Sequence, residues 1–161
     1  MSKGKLSKLE LSVAPAAVLL FTMIAMYIIS RFDRARILRP DEYTITTVVS
    51  TVLVFSGIIL IVLAMKKFRL AHTSISTLNP DTASKLITSG VFTYTRNPMY
   101  LGMALISLSS VFFYGSAWCL IATAGFVAYV TRFQILPEEK ALARLFTTEF
   151  EAYKANTRRW I

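Results

Sequence analysis

Three long stretches without a single charge dominate this chain. Leu11 to Ser30 carries no Asp, Glu, Lys or Arg, Thr44 to Met65 carries none, and nothing between Arg96 and Arg132 is charged. A helix rising about 1.5 Å per residue needs about 20 apolar residues to cross the ~30 Å of a bilayer's hydrocarbon. The first two runs have that length, and the third is long enough to cross, turn at Tyr114-Gly115-Ser116 and return. The sequence therefore predicts an all-α polytopic integral membrane protein with four transmembrane helices near 11–30, 44–65, 98–114 and 116–136. The last two have roughly 17 uncharged residues each, about 25 Å of helix, so this hairpin either thins the bilayer or leans on a snorkelling Arg132. Composition agrees: 55% of residues are hydrophobic, 17% are charged, and the mean hydropathy is +0.55. Continuous apolar runs, lacking the alternation of lipid-facing strands, exclude a β-barrel.

Lys3, Lys5 and Lys8 precede the first run, as in a secretory signal. Its apolar core is too long for one and no small-x-small cleavage pattern follows, so it reads as a retained helix. Lone Cys119 falls inside the fourth helix and reads as packing. With four spans both termini share a side. That side collects three basic residues from the N-terminus, five from residues 66–98 and six from Arg132 onward, against four in the first loop, RFDRARILRPDEY. The excess of Lys and Arg predicts cytoplasmic termini, in a plasma or inner membrane. The net charge of +9 is scattered along juxtamembrane segments rather than gathered in one stripe. It is a membrane-surface signature, and no nucleic-acid partner is expected.

Two polar stretches flank the hairpin on that predicted cytoplasmic side, residues 66–98 and the tail from Arg132, so they must meet in space. In the first, Asn79-Pro80-Asp81 reads as a turn and Ser89-Gly90 as another break. Asn97 followed by Pro98 is a helix start: Asn caps free backbone donors, and Pro fits the first helical position. Arg96 beside that positive dipole end makes an anion site, or an anchor to lipid phosphate. In the tail, Pro137 suits a first helical turn, and Glu138 and Glu139 complement its dipole or offer a cation site. Leu142, Leu145, Phe146, Phe150 and Tyr153 then recur at three- and four-residue spacing, predicting an amphipathic interfacial helix. Phe92, Tyr94, Tyr100 and Tyr153 add aromatic faces to this rim. An anion site, a cation site and π surfaces together suit S-adenosylmethionine, which carries an amino-acid end, a sulfonium and an adenine.

Other chemistries find no support. His72 is the sole histidine, no cysteine pair exists, and carboxylates lack metal-ligand spacing, so neither a metal site nor a Ser-His-acid set is expected. No G-x-G-x-x-G loop or Walker lysine motif occurs.

The two polar blocks carry a resemblance. T-S-G-V-F-x-Y-T-R-N-P-M-Y-L-G, a hydrophobic hairpin, then P-E-E-x-x-L-x-x-x-F-x-x-x-F-x-x-Y-x-x-x-x-R-R-W resembles the isoprenylcysteine carboxyl methyltransferase family, itself similar to the membrane phospholipid methyltransferases. The resemblance covers about residues 66–161 and implies a methyltransferase core there, preceded by an N-terminal pair of helices in residues 1–65. It implies an S-adenosylmethionine-dependent enzyme whose cofactor is held by Lys85, Leu86 and Ile87, by Phe92, by Asn97, Pro98, Met99 and Tyr100, and by Glu138. The residue-level reading adds Arg96 and Glu139 to that set. Three departures stand out. Asn97 replaces the His of eukaryotic members, Thr147 replaces the usual Gly after Phe146, and Gln134 occupies the position of an acceptor-binding Arg. Arg132, two residues earlier, takes that acceptor-orienting role only if it points into the cavity.

The expected reaction is in-line transfer of the methyl group to an oxygen or nitrogen of a lipophilic acceptor, a prenylcysteine-type carboxylate or a lipid amine, arriving from the bilayer. Alignment and exclusion of water would supply most of the rate. Two rival readings are an NADPH-dependent membrane reductase of an isoprenoid or sterol-like substrate, and a non-catalytic four-helix membrane subunit.

Overall fold

A computed structural model describes residue 11 and residues 13–33, 43–71 and 84–161. His72, the Asn79-Pro80-Asp81 turn, the N-terminal lysines and most of the first loop lie outside the described residues. Five helices follow in order: α1 (Pro15–Phe32), α2 (Tyr43–Leu70), α3 (Pro98–Tyr114), α4 (Ala117–Val130) and α5 (Leu136–Asn156). A 3₁₀ turn, Gly90–Thr93, precedes α3. Three helical stretches, Pro15–Phe32, Thr44–Leu70 and Ala117–Asn156, are long and apolar enough to span a bilayer, and Pro98–Tyr114 is a shorter apolar helix. The predicted all-α membrane architecture is thus observed.

Three boundaries differ from expectation for identifiable reasons. α1 begins at Pro15, not at residue 11, because proline is tolerated in the first turn of a helix but not in its interior. α2 runs on past Met65 to Leu70, where Lys67 and Arg69 complement the negative end of its dipole. The third difference has the largest consequence. No new helix starts at Pro137; α4 continues into α5 through a π turn, Thr131–Ile135. A proline inside a helix offers no N–H and crowds the carbonyl four residues back, here that of Phe133. The wider π turn relieves the crowding, and the Phe133 carbonyl accepts instead from the Leu11 backbone N–H at 3.0 Å.

α3 is the central helix, packed by α1, α2 and α4. Its backbone meets that of α2 at Gly57 and Gly102, where a Cβ on either glycine would lie 2.5 Å from the other's carbonyl oxygen. Lipid tails are as apolar as leucine, so helices in a bilayer associate through such close contact and through hydrogen bonds. The Ser50 hydroxyl donates to the Ser109 carbonyl (3.0 Å), Ser107 pairs with Thr123 (3.1 Å), and Ser110 meets Met23 Sδ (3.4 Å). Gly115 closes α3 in the left-handed conformation (φ 63°), as the predicted Tyr114-Gly115-Ser116 turn requires.

At the other end of the bundle Leu11 and the residue 13–15 segment, the residue 84–97 segment and the C-terminus come together. Leu86, Ile87, Phe92, Phe150 and Tyr153 share an apolar cluster there with Ala64 and Phe68 of α2. Phe150 and Tyr153 are buried, as the spacing in the tail predicted, whereas Leu145 is 43% exposed and lies off that face. α5 also bends at Thr147, whose backbone leaves the helical region.

Candidate active site

The site is built where α3 begins. Phe92, Arg96, Asn97, Pro98, Met99 and Tyr100 line a cavity of about 70 Å³ together with Glu138 of α5, Phe68 of α2, Met103 and Pro15. Because α4 runs on into α5 through the π turn, Glu138 faces Tyr100, the third residue of α3. Tyr100 Oη donates to Glu138 Oε1 at 2.6 Å. No cation pairs with Glu138 among the described residues, and the effect on its proton is large. Burial pushes its pKa up to about 8, with the Tyr100 hydrogen bond offsetting part of the rise and the charge of Glu139 adding to it.

Glu139 points the other way. Arg96 donates to its Oε1 from Nη2 (2.8 Å) and Nε (3.2 Å), and Arg159 donates to Oε1 from Nε (3.0 Å) and to Oε2 from Nη2 (2.7 Å). Burial alone would raise the Glu139 carboxyl, but the hydrogen bonds and charges of Arg159 and Arg96 outweigh it and hold the group below the usual carboxylate range. Arg96 also donates to the carbonyls of Thr157 and Lys154. The expected anion site at Arg96 and cation site at Glu139 are therefore satisfied by each other. Arg96 lines the cavity with its guanidinium bonded to Glu139, and Glu139 is absent from the lining.

Asn97 departs from its expected capping role. It stands at the start of α3, yet its side chain caps no backbone donor of the helix; Nδ2 donates to the Arg159 carbonyl at 3.0 Å. Thr95 Oγ1 donates to the same carbonyl (3.1 Å), and Arg96 N–H donates to Arg158 O (3.0 Å). The C-terminal residues thus run as a strap along Thr93–Asn97. Its Trp160 packs against Tyr100, Met103, Phe126, Val130 and Ile135.

Leu86 and Ile87 do not line the 70 Å³ cavity. With Lys85 they border a cleft of about 290 Å³, and Leu86 also lines one of about 600 Å³ with Thr88, Thr93 and Tyr153. The Tyr153 hydroxyl donates to the Phe92 carbonyl at 2.7 Å, so the larger cleft adjoins the cavity across the Phe92 backbone.

Arg132 lies outside the lining, its guanidinium 5.3 Å over the Phe133 ring. Gln134 is fully buried in the π turn, where Nε2 donates to the Val13 carbonyl (2.7 Å) and Oε1 has no partner among the described residues. Neither residue is brought to the cavity wall. Sequence reasoning gave no role to Pro15, Phe68, Thr95, Arg159 or Trp160. The R-R-W ending was the available signal for the last two; the others carry none in one sequence.

A family profile described as phospholipid methyltransferase matches residues 45–149, most of the chain, from α2 through Asn97–Tyr100 to Glu138 and beyond. The chain belongs to the phospholipid methyltransferase family. Neither a curated protein nor a solved structure matches it. Family membership makes it a membrane S-adenosylmethionine-dependent methyltransferase acting on a lipid-type acceptor, and decides against the reductase and the non-catalytic subunit. This phospholipid methyltransferase family is related to the isoprenylcysteine carboxyl methyltransferases, which is the level at which the resemblance seen in the sequence holds.

The donor set suits such a cofactor: a carboxyl group with no paired cation among the described residues, an aromatic wall of Phe68, Phe92 and Tyr100, and the amide of Asn97. Small-molecule pockets usually measure about 300–1,000 Å³. The 70 Å³ cavity is drawn in around the Tyr100–Glu138 hydrogen bond, and the 600 Å³ cleft beside it has the remaining room.

Proposed function

We propose that the cavity between the start of α3 and Glu138 holds the sulfonium end of S-adenosylmethionine, and that the acceptor is a lipid amine. The observation that carries this reading is Glu138 itself, a half-buried carboxyl group facing a cavity, with no cation paired to it among the described residues. Bound cofactor supplies an electrophilic methyl group on a positively charged sulfur. Glu138 binds that positive charge, Tyr100 holds the carboxylate in place, and Phe92 and Phe68 exclude water from the transfer path. Leu86, which lines the larger cleft, and Ile87, which lines the smaller one, receive the rest of the molecule.

The charges around the cavity favour an amine over a carboxylate acceptor. Its two charged lining residues are Arg96, already committed to Glu139, and Glu138. A prenylcysteine carboxylate would meet no uncommitted cation there, since Arg132 lies outside the lining. An amine meets a carboxylate instead, with which it shares its proton. With cofactor bound, the nitrogen lone pair would form the new C–N bond as the C–S bond breaks toward sulfur, and Glu138 would return the amine's proton to solvent, leaving the methylated amine as its cation. Termini on the cytoplasmic side of a plasma or inner membrane, as the lysine and arginine distribution indicates, would open the site to the soluble cofactor.

The test is incubation of purified protein with methyl-labelled cofactor and two acceptors, a phosphatidylethanolamine and a prenylated cysteine. Label in the amine lipid alone is the expected result. Label in the prenylcysteine ester alone overturns the acceptor assignment.

A further inference from the structure

We propose that a groove beside the active site, between the end of α2 and the 3₁₀ turn, binds the phosphate headgroup of an anionic glycerophospholipid from the surrounding leaflet. The groove has a volume of about 580 Å³, and its lining includes Leu63, Lys66, Lys67, Leu70, Gly90 and Tyr94. It sits at headgroup height, because Lys66 and Lys67 directly follow the charge-free run that ends at Met65.

The groove is built around a held cation. Gly90 has φ 68°, and a Cβ there would lie 2.5 Å from Lys67 Cε and 3.2 Å from Nζ. A Cβ there would displace the flexible end of the lysine from its place across the turn, and the left-handed backbone itself favours glycine. Lys67 Nζ then reaches Ser89 Oγ at 3.3 Å, so the ammonium is fixed against the protein rather than free in solvent. Among the described residues neither Lys66 nor Lys67 has an ion pair, and no acidic residue lines the groove. Two cations without a counter-charge complement a phosphate. The apolar part fits a lipid: Leu63 and Leu70 are exposed on the same helix face, and Tyr94, 82% exposed, stands at the rim where aromatic rings meet headgroups.

Adjacent residues separate this groove from the methyl-transfer cavity. Lys67 and Val91 line the groove, while their neighbours Phe68 and Phe92 line the cavity and meet edge to face with ring centres 5.4 Å apart. A lipid phosphate at Lys66 and Lys67 therefore braces the turn that carries Phe92. A lysine near an anionic surface contributes about fivefold in affinity, so the pair contributes about 25-fold.

The experiment compares phosphatidylglycerol, phosphatidylcholine of the same chains, and free glycerol 3-phosphate as additives to the detergent-purified full chain, read by thermal melting and native mass spectrometry. Expected is a higher melting temperature and retained lipid with phosphatidylglycerol alone. The Lys66→Gln/Lys67→Gln variant should lose most of that preference, while Lys154→Gln, a control on exposed α5, keeps it. Equal preference in the double variant, or an equal shift with phosphatidylcholine, overturns the proposal; an equal shift with glycerol 3-phosphate assigns the groove to a soluble phosphate and overturns it too. Should the double variant not fold, a photoactivatable phosphatidylglycerol on the unmodified chain gives the same decision. Label on the residue 63–70 and 89–94 peptides supports the site, and label confined elsewhere sinks it.

Discussion

Glu138 and Glu139 are neighbours on one turn of α5, and they do opposite work. Glu139 faces the strap and is held by two guanidinium groups; Glu138 faces the cavity and is held by one phenol. The first is charged and its partners are fixed. The second carries an elevated pKa because burial outweighs the Tyr100 hydrogen bond and no cation among the described residues offsets it. A single residue step thus separates a contact internal to the protein from one that faces the cavity, because a 100° step turns one carboxyl toward the arginines and the other toward the cavity.

The comparison can be broken most forcefully at Glu139. Glu139→Gln leaves Arg96 and Arg159 facing each other without a carboxylate, and should cost about 3 kcal/mol of stability, read as a lower melting temperature of the detergent-purified chain. A melting temperature equal to that of the unaltered protein would show the clamp to be ornamental. Glu138→Gln should do the reverse. Cofactor affinity measured by calorimetry at pH 9, where Glu138 is ionised, falls about 30-fold, about 2 kcal/mol, while the fold is kept.

pH sharpens the contrast. Glu138 is largely neutral below about 8 and charged above it, so affinity for the cationic cofactor should fall by up to tenfold for each pH unit below 8, a slope that Glu138→Gln abolishes. Stability carries the opposite sign. A carboxyl with a raised folded-state pKa gives its full contribution below its ordinary value of 4.5 and loses it as pH rises through about 8. The melting temperature of the unaltered protein should therefore decline relative to Glu138→Gln between pH 5 and pH 9. A constant difference across that range would contradict the assigned burial. The smallest effect is expected from Tyr100→Phe, which removes one hydrogen bond to Glu138 and should weaken cofactor binding about fivefold, measured at pH 9 so that Glu138 remains ionised.

The spans were legible because their physics is one-dimensional. A run free of charge and long enough for the hydrocarbon must be a helix in a bilayer, and Gly115 after Tyr114 marks a turn wherever it occurs. The meeting of Asn97–Tyr100 with Glu138 was equally readable, since a tight hairpin joins the two segments that carry them. What each polar group does on arrival was not. Arg96 could serve an anion or a carboxylate, and only the return of the C-terminal strap, which brings Arg159 to Glu139 and the Arg159 carbonyl to Asn97, decides for the protein's own partners. Pro137 read as a helix start from its local preference, yet the π turn and the Phe133 carbonyl bonded to Leu11 let α4 run through it. Sequence by itself determined which segments lie in the membrane and which polar residues collect at its edge. The tertiary structure alone divided those residues between clamp and cavity, because a hydrogen bond needs a partner within about 3 Å and chain order says nothing about distance between segments sixty residues apart.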